Sequence, residues 1–176
     1  MSQPVNILGV DPGKKCGIAE INNGKLLYYD TVDGDNVFLA RDMLIDIDTL
    51  VIEDQYFRIG KLKGIKTLLY RRFIWQVMAK YARVAISKVP PSTWQSYYKI
   101  KRGDKDTIQR VAASLVLQHG DSECKQKMRE DKGLPPQDAA DAICIAYWYF
   151  ETLNKNTCES PIGNKDLCIP NTAKKT

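Results

Sequence analysis

The sequence has no Asp or Glu between residues 55 and 103, a gap of 49 positions. Twelve Lys and Arg fill that stretch: Arg58, Lys61, Lys63, Lys66, Arg71, Arg72, Lys80, Arg83, Lys88, Lys99, Lys101 and Arg102. The remaining residues carry 14 basic against 21 acidic side chains, net −7, so a +12 centre is set in an acidic chain whose total is +5. Such segregation suits a polyanionic partner, above all nucleic acid. The alternative, a merely lysine-rich solvated surface, gives no reason for the missing acids.

Other absences narrow the class. Five cysteines are an odd number and no two stand as Cys-x-x-Cys, which argues against a zinc site and a disulfide framework. The one histidine, His119, falls at a predicted helix end, where a cation suits the dipole, and is read as structural. No apolar run is long enough to span a bilayer. Met1-Ser2-Gln3-Pro4 lacks the basic and apolar regions of a signal peptide. A cytoplasmic protein with no membrane partner is expected. At 176 residues and 44% apolar content there is material for one core. The expected organisation is a single domain over 1–153 and a polar, loosely ordered tail over 154–176.

Along the chain, residues 5–11 read as a buried strand, and 17–20 and 25–30 as two more joined at Asn23-Gly24, a strong hairpin signal. Residues 36–45 have helical spacing, and 49–53 form a compact strand ending at acids. The spacing predicts a helix over 64–81 with Ile65, Leu69, Phe73 and Val77 along an apolar face that is core or dimer interface, core for the most part. A strand over 83–89 is closed by Pro90-Pro91. Ser92 or Thr93 can cap a helix through Tyr98, and Asp104 or Asp106 another through Gln118. Residues 121–134 are charged and poorly periodic and read as an exposed loop. A last helix over 137–153 turns Ala142, Ile145, Ala146 and Tyr149 inward.

Three segments place carboxylates at element ends. Ile7 to Gly13 ends a strand in Asp11-Pro12-Gly13, residues 51–54 end another in Glu53-Asp54, and Asp138 and Asp141 share one face in the first turns of the last helix. Each acid alone has an ordinary explanation as a turn or helix-start residue. Together they form a set of oxygen ligands, which suits hard cations such as Mg2+ or Mn2+. Carboxylates around two such ions, beside a basic surface, point to phosphodiester hydrolysis.

Gly9-Val10-Asp11-Pro12-Gly13, Ile52-Glu53-Asp54-Gln55, Lys105-Asp106-Thr107-Ile108-Gln109 and Asp138-Ala139-Ala140-Asp141-Ala142, in this order over residues 5–150, resemble the RuvC-type Holliday junction resolvases. The last motif is the most specific. The resemblance implies an α/β, ribonuclease H-like fold: a mixed five-stranded sheet of antiparallel hairpins plus parallel strands, flanked by helices. It implies a homodimer in which each subunit cuts one strand of a four-way DNA junction, using Mg2+ or Mn2+, two per site. Asp11, Glu53, Asp138 and Asp141 are then the metal ligands, with Asp11 bridging, and Lys105 the basic residue that positions or neutralises the scissile phosphate. Tyr56 or Phe57 corresponds to an aromatic that stacks on bases. Arg58, Lys61, Lys63 and Lys66 form a glycine-loosened phosphate-binding segment.

Two departures stand out. A lysine common in the family after the proline that ends the fifth strand is Gln95 here, with Lys99, Lys101 and Arg102 as candidate replacements. The segment between residues 120 and 136 is longer than usual and the polar tail is extra. Cleavage-sequence preference is thus left open, and a relaxed, phage-type branched-DNA resolvase in a host cytoplasm is one form the family takes. Competing readings are a nuclease of the same fold acting on structured RNA, a non-catalytic junction-binding protein, and an actin-like ATPase domain. The last needs phosphate loops and a second domain for which 176 residues leave little room.

Overall fold

The computed structural model describes residues 5–54 and 65–158. Five strands, β1 (Asn6–Asp11), β2 (Lys15–Asn22), β3 (Lys25–Asp33), β4 (Thr49–Glu53) and β5 (Ala85–Val89), form one sheet in the order β3-β2-β1-β4-β5. β1, β2 and β3 pair antiparallel, whereas β4 and β5 join parallel, β4 beside β1. This is the mixed sheet expected. Asn23 and Gly24 have φ of 49° and 81°, the left-handed pair that a two-residue hairpin needs.

Alternation along the strands divides the core in two. Ile7, Ala19, Ile21 and Val51 face one layer, in which α3 (Pro91–Tyr97), α4 (Lys105–His119), α5 (Ser122–Glu130) and α6 (Gln137–Cys158) pack. Leu8, Val10, Ile18, Leu50 and Ile52 face the other, covered by α1 (Val37–Asp42) and α2 (Ile65–Tyr81). Asp11 and Glu53 continue the parity of Ile7 and Val51, so the period of two aims both acids at the α6 layer.

Helix α6 lies very close to the sheet. Ala139, Ala140, Ala142 and Ala146 are fully buried beneath it. A Cβ on Gly9 would stand 2.6 Å from the Ala142 carbonyl oxygen and 2.7 Å from the Ala146 Cβ, and one on Gly17 only 1.7 Å from the Asp138 carbonyl oxygen. Glycine is required at both positions because the helix backbone occupies the space of a side chain.

Several sequence expectations are corrected. Residues 121–134 are a loop only from 131 on: Asp121 caps α5, accepting from the Cys124 amide at 2.8 Å, and Cys124 and Met128 are buried one turn apart. That helix covers the edge strand β3, with Lys127 donating to the Tyr29 carbonyl at 3.0 Å. The core face of α2 is Arg71, Ile74, Trp75 and Ala79, whereas Leu69 and Phe73 are 37% and 62% exposed. Helix α3 starts at Pro91 with Pro90 as its cap, ahead of Ser92 and Thr93. Of the two candidates Asp104 caps α4, through the Thr107 amide. Strand β5 begins at Ala85, since Arg83 has φ of 59° and cannot extend a strand. Helix α6 runs past Leu153 to Cys158; the rest of the tail lies outside the described residues. His119 is exposed at the end of α4, its ring 5.1 Å from that of Tyr147. Among the described residues, no helix is long and apolar enough to cross a membrane.

The close seat of α6 makes Gly17→Ala a sharp test. It is expected to lower stability by about 3 kcal/mol, the upper end for overpacking, read from urea denaturation, because a backbone carbonyl rather than a yielding side chain meets the new methyl.

Candidate active site

The parallel pairing of Val10 with Ile52 sets Asp11 and Glu53 side by side at the carboxyl ends of β1 and β4. Strand ends of this kind are where α/β sheets collect ligands. Asp11 lies opposite Gly17 in β2, and over Gly17 passes the backbone of Asp138. Asp138 and Asp141, three apart on α6, therefore come down on the two strand acids. All four acids meet at one end of the sheet, on one face.

Their proximity shows in their electrostatics. Burial, then the charges of Glu53, Asp141 and Asp138, hold the Asp11 carboxyl well above the usual carboxylate range. Burial also pushes Asp141 up to about 7; Glu53 and Asp138 add to the rise, and the Gln137 hydrogen bond and the Lys105 charge oppose it. Gln137 Nε2 donates to Asp141 Oδ2 at 3.3 Å. Asp11 Oδ1 is buried without a hydrogen-bond partner. Glu53 is 6% exposed and accepts from Trp94 Nε1 at 3.0 Å.

An all-oxygen donor set with a buried, unsatisfied Asp11 oxygen and mutual repulsion fits a hard divalent cation. As the side chains stand, no three Asp, Glu, His or Cys among the described residues close to ligand distance around one point. The four acids share one field but are not yet one coordination shell.

Other expected residues fall as follows. Lys105, exposed at the start of α4, is near enough to Asp141 to act on its protonation. Gln109 donates to the Pro135 carbonyl at 3.0 Å, fixing α4 to the segment that leads into α6. Lys101 and Arg102 are exposed on the turn between α3 and α4. Lys66 is exposed in the first turn of α2 and, with Leu69, Tyr70, Arg72, Phe73 and Gln76, lines an open cavity of about 330 Å³. Tyr56, Phe57, Arg58, Lys61 and Lys63 lie outside the described residues. Asp54, next to Glu53, is occupied in a salt bridge with Arg72.

Two contributors were not singled out from the sequence. Arg71, 8% exposed, grips Asp35 through Nε and Nη2, both at 2.8 Å, and lies against Gly34. Gly34 donates to the Lys14 carbonyl at 3.0 Å, so this fork braces the turn that follows Asp11. Trp94 is the other; its legible signal was a tryptophan just after the Pro90-Pro91 stop, beside the strand that ends in Glu53.

No family model matches the chain, and neither does any curated protein sequence. Solved structures do. RuvC of Thermus thermophilus in complex with a Holliday junction substrate is similar at 15% identity and a TM-score of 0.60, over 85% of this chain and 96% of that one. The fowlpox virus resolvase, complexed with Holliday junction DNA, gives 16% and 0.58 over 83% and 99%. The yeast mitochondrial Holliday junction resolvase gives 16% and 0.56 over 88% and 83%. The chain thus has the fold of the RuvC-type resolvases, the ribonuclease H-like architecture expected.

The raised acids set the pH dependence of the metal-free protein. A carboxyl that binds its proton more tightly folded than unfolded stabilises the fold at low pH and ceases to as pH rises between the two pKa values. For Asp141 that window runs from 3.8 to about 7. Stability without divalent cations should fall across it, and Asp141→Asn should flatten the fall. At pH 8 the variant should be the more stable by over about 1 kcal/mol, the worth of one pKa unit, measured by denaturant titration in EDTA.

Proposed function

We propose that the chain is a metal-dependent endonuclease that resolves four-way and other branched DNA junctions by hydrolysing phosphodiesters in paired strands. The observation that carries the reading is the convergence of Asp11, Glu53, Asp138 and Asp141 at one sheet end, with an orphaned Asp11 oxygen among them. Its fold is shared with resolvases solved on junction DNA.

In this reading the four acids hold Mg2+ or Mn2+, two per site. The chemistry such ions supply is activation of water for attack on the phosphodiester and neutralisation of charge on the leaving oxygen. Asp11, central between Glu53 and the α6 pair, would be the ligand common to the ions. Lys105 offers its ammonium to the scissile phosphate, and its charge favours the ionised Asp141. Lys66, Lys101 and Arg102 track flanking phosphates as exposed cations. Tyr56, Phe57, Arg58, Lys61 and Lys63 complete the DNA surface in this proposal, one aromatic stacking at the crossover.

Paired cuts need paired sites. The described residues of one chain bring one such carboxylate cluster together, so two chains related by a twofold axis would match the symmetry of a junction. The outward face of α2, with Leu69, Tyr70 and Phe73 exposed, offers the apolar surface for that second copy.

Two outcomes are expected. The chain should nick a synthetic four-way junction with Mg2+ or Mn2+ and spare linear duplex and folded RNA; Asp11→Asn should abolish cutting by at least about 100-fold, as loss of an essential ligand does, while junction binding persists in gel shifts. Equal cutting of linear duplex would refute the junction specificity. In light scattering the protein should run as a dimer and Phe73→Glu as a folded monomer; an unchanged mass would remove α2 from the interface.

A further inference from the structure

We infer that Trp94 is a positioning residue of Glu53: its indole N–H holds the carboxylate in one orientation at the end of β4, beside Asp11. The inference rests on the nuclease reading above and concerns a residue with no chemistry of its own.

The contact is specific. Trp94 is fully buried, Glu53 nearly so, and Nε1 lies 3.0 Å from Oε2. Indole can only donate, and a carboxylate can only accept when ionised, so the pair has one polarity. A buried indole N–H without an acceptor would cost on the order of 1–3 kcal/mol, so the ring and the acid restrain each other.

The backbone leads the ring there. Glu53 pairs with Val89, the last residue of β5, and Pro90-Pro91 then turn the chain into α3. Its first turn carries Trp94 back over the end of β4. Helix α3 is in turn tied to α6: Tyr98 donates to the Cys144 carbonyl at 3.4 Å, Tyr97 bonds Glu151, and Lys155 donates to the Tyr97 hydroxyl at 2.8 Å. Trp94 thus relates Glu53 on the sheet to the helix that bears Asp138 and Asp141. The strand acids are unequal as a result. Asp11 keeps a buried oxygen without a partner, whereas Glu53 has one oxygen held from behind. Groups that donate to a ligating side chain in this way set its direction, and their loss typically weakens metal binding about 10–100-fold.

A tryptophan that merely fills the core would be indifferent to its N–H, and the test turns on that atom. Two variants of the full chain are compared with the unmodified protein: Trp94→Phe, and replacement of Trp94 by 3-benzothienylalanine, which keeps the bicyclic shape and puts sulfur where the N–H was. Mn2+ alone is titrated by calorimetry, and unfolding in EDTA reports the fold; the isostere decides should Trp94→Phe not fold. Mn2+ affinity is expected to fall about tenfold in the isostere, with junction cleavage lost at low Mn2+ and recovered at high Mn2+, and junction affinity unchanged. Unaltered Mn2+ affinity in the isostere, or a cleavage defect that no Mn2+ concentration repairs, would overturn the inference alone. Failure of the unmodified chain to bind Mn2+ would overturn the nuclease reading and this inference with it.

Discussion

Helix α6 approaches β1 and β2 so closely that Gly9 and Gly17 have no room for a side chain, and this contact determines what happens at the sheet's end. Removing two side chains from the strands brings the helix backbone down onto them. With it come Asp138 and Asp141, directly onto the acids that β1 and β4 present. The same packing supplies the stability that the acids oppose. From Ala142 to Tyr147 the helix is buried on all sides, and apolar burial at roughly 25 cal/mol per Å² accumulates over every turn. Carboxylates held together against repulsion are a local violation of good packing, a pattern expected of functional sites.

The other face of the sheet limits the same residue from below. Arg71 reaches from α2 to the segment after β3, and fork-bonds Asp35. Bidentate guanidinium–carboxylate geometry fixes both partners' orientation more firmly than a single bond can. That bond holds Asp35 below the usual carboxylate range. Gly34 beside it donates to Lys14, and Gly13 donates to the Asp11 carbonyl at 2.9 Å. The turn after Asp11 is therefore braced by an element that belongs to the opposite layer. Arg72, the next residue on α2, takes up Asp54. Two adjacent arginines thus sort two acids at this end of the molecule into structural partners, leaving Asp11 and Glu53 for the α6 side.

Much of this was legible because it depends on short-range rules. Short apolar runs located the strands, Asn23-Gly24 the hairpin, and Asp104 or Asp106 the start of α4, each a matter of local backbone chemistry. The side on which Asp11 and Glu53 emerge follows from the period of two alone. What stayed hidden depends on tertiary choice. Helix α2 has apolar residues around most of its circumference, so periodicity could not tell the Trp75–Ala79 side from the Leu69–Phe73 side. Buried Arg71 argued for the wrong face, since a charge is expected outside unless its partner, 36 residues away, is known. Helix α5 buries only Cys124 and Met128 among nine largely charged residues, too sparse a stripe to distinguish from a loop. Trp94 was invisible as a site residue because a lone tryptophan is more often core, and its acceptor lies 41 positions earlier.

If the chain is the junction nuclease proposed, its charge distribution separates holding DNA from cutting it. In the proposed reading, a phosphate backbone approaching the acid cluster meets negative potential at the centre and positive charge beside it, from the exposed Lys105 and from Lys101 and Arg102 on the turn before it. Long-range attraction at the periphery is screened by salt, whereas the buried acids are screened far less. Peripheral binding should then weaken steeply with ionic strength, as counterion release requires. The central repulsion persists until divalent charge is added at the carboxylates themselves. In the proposed reading, the cluster that would hold the cations also keeps the scissile phosphate at a distance when none is bound, so that recognition of a polyanion would not commit it to cleavage.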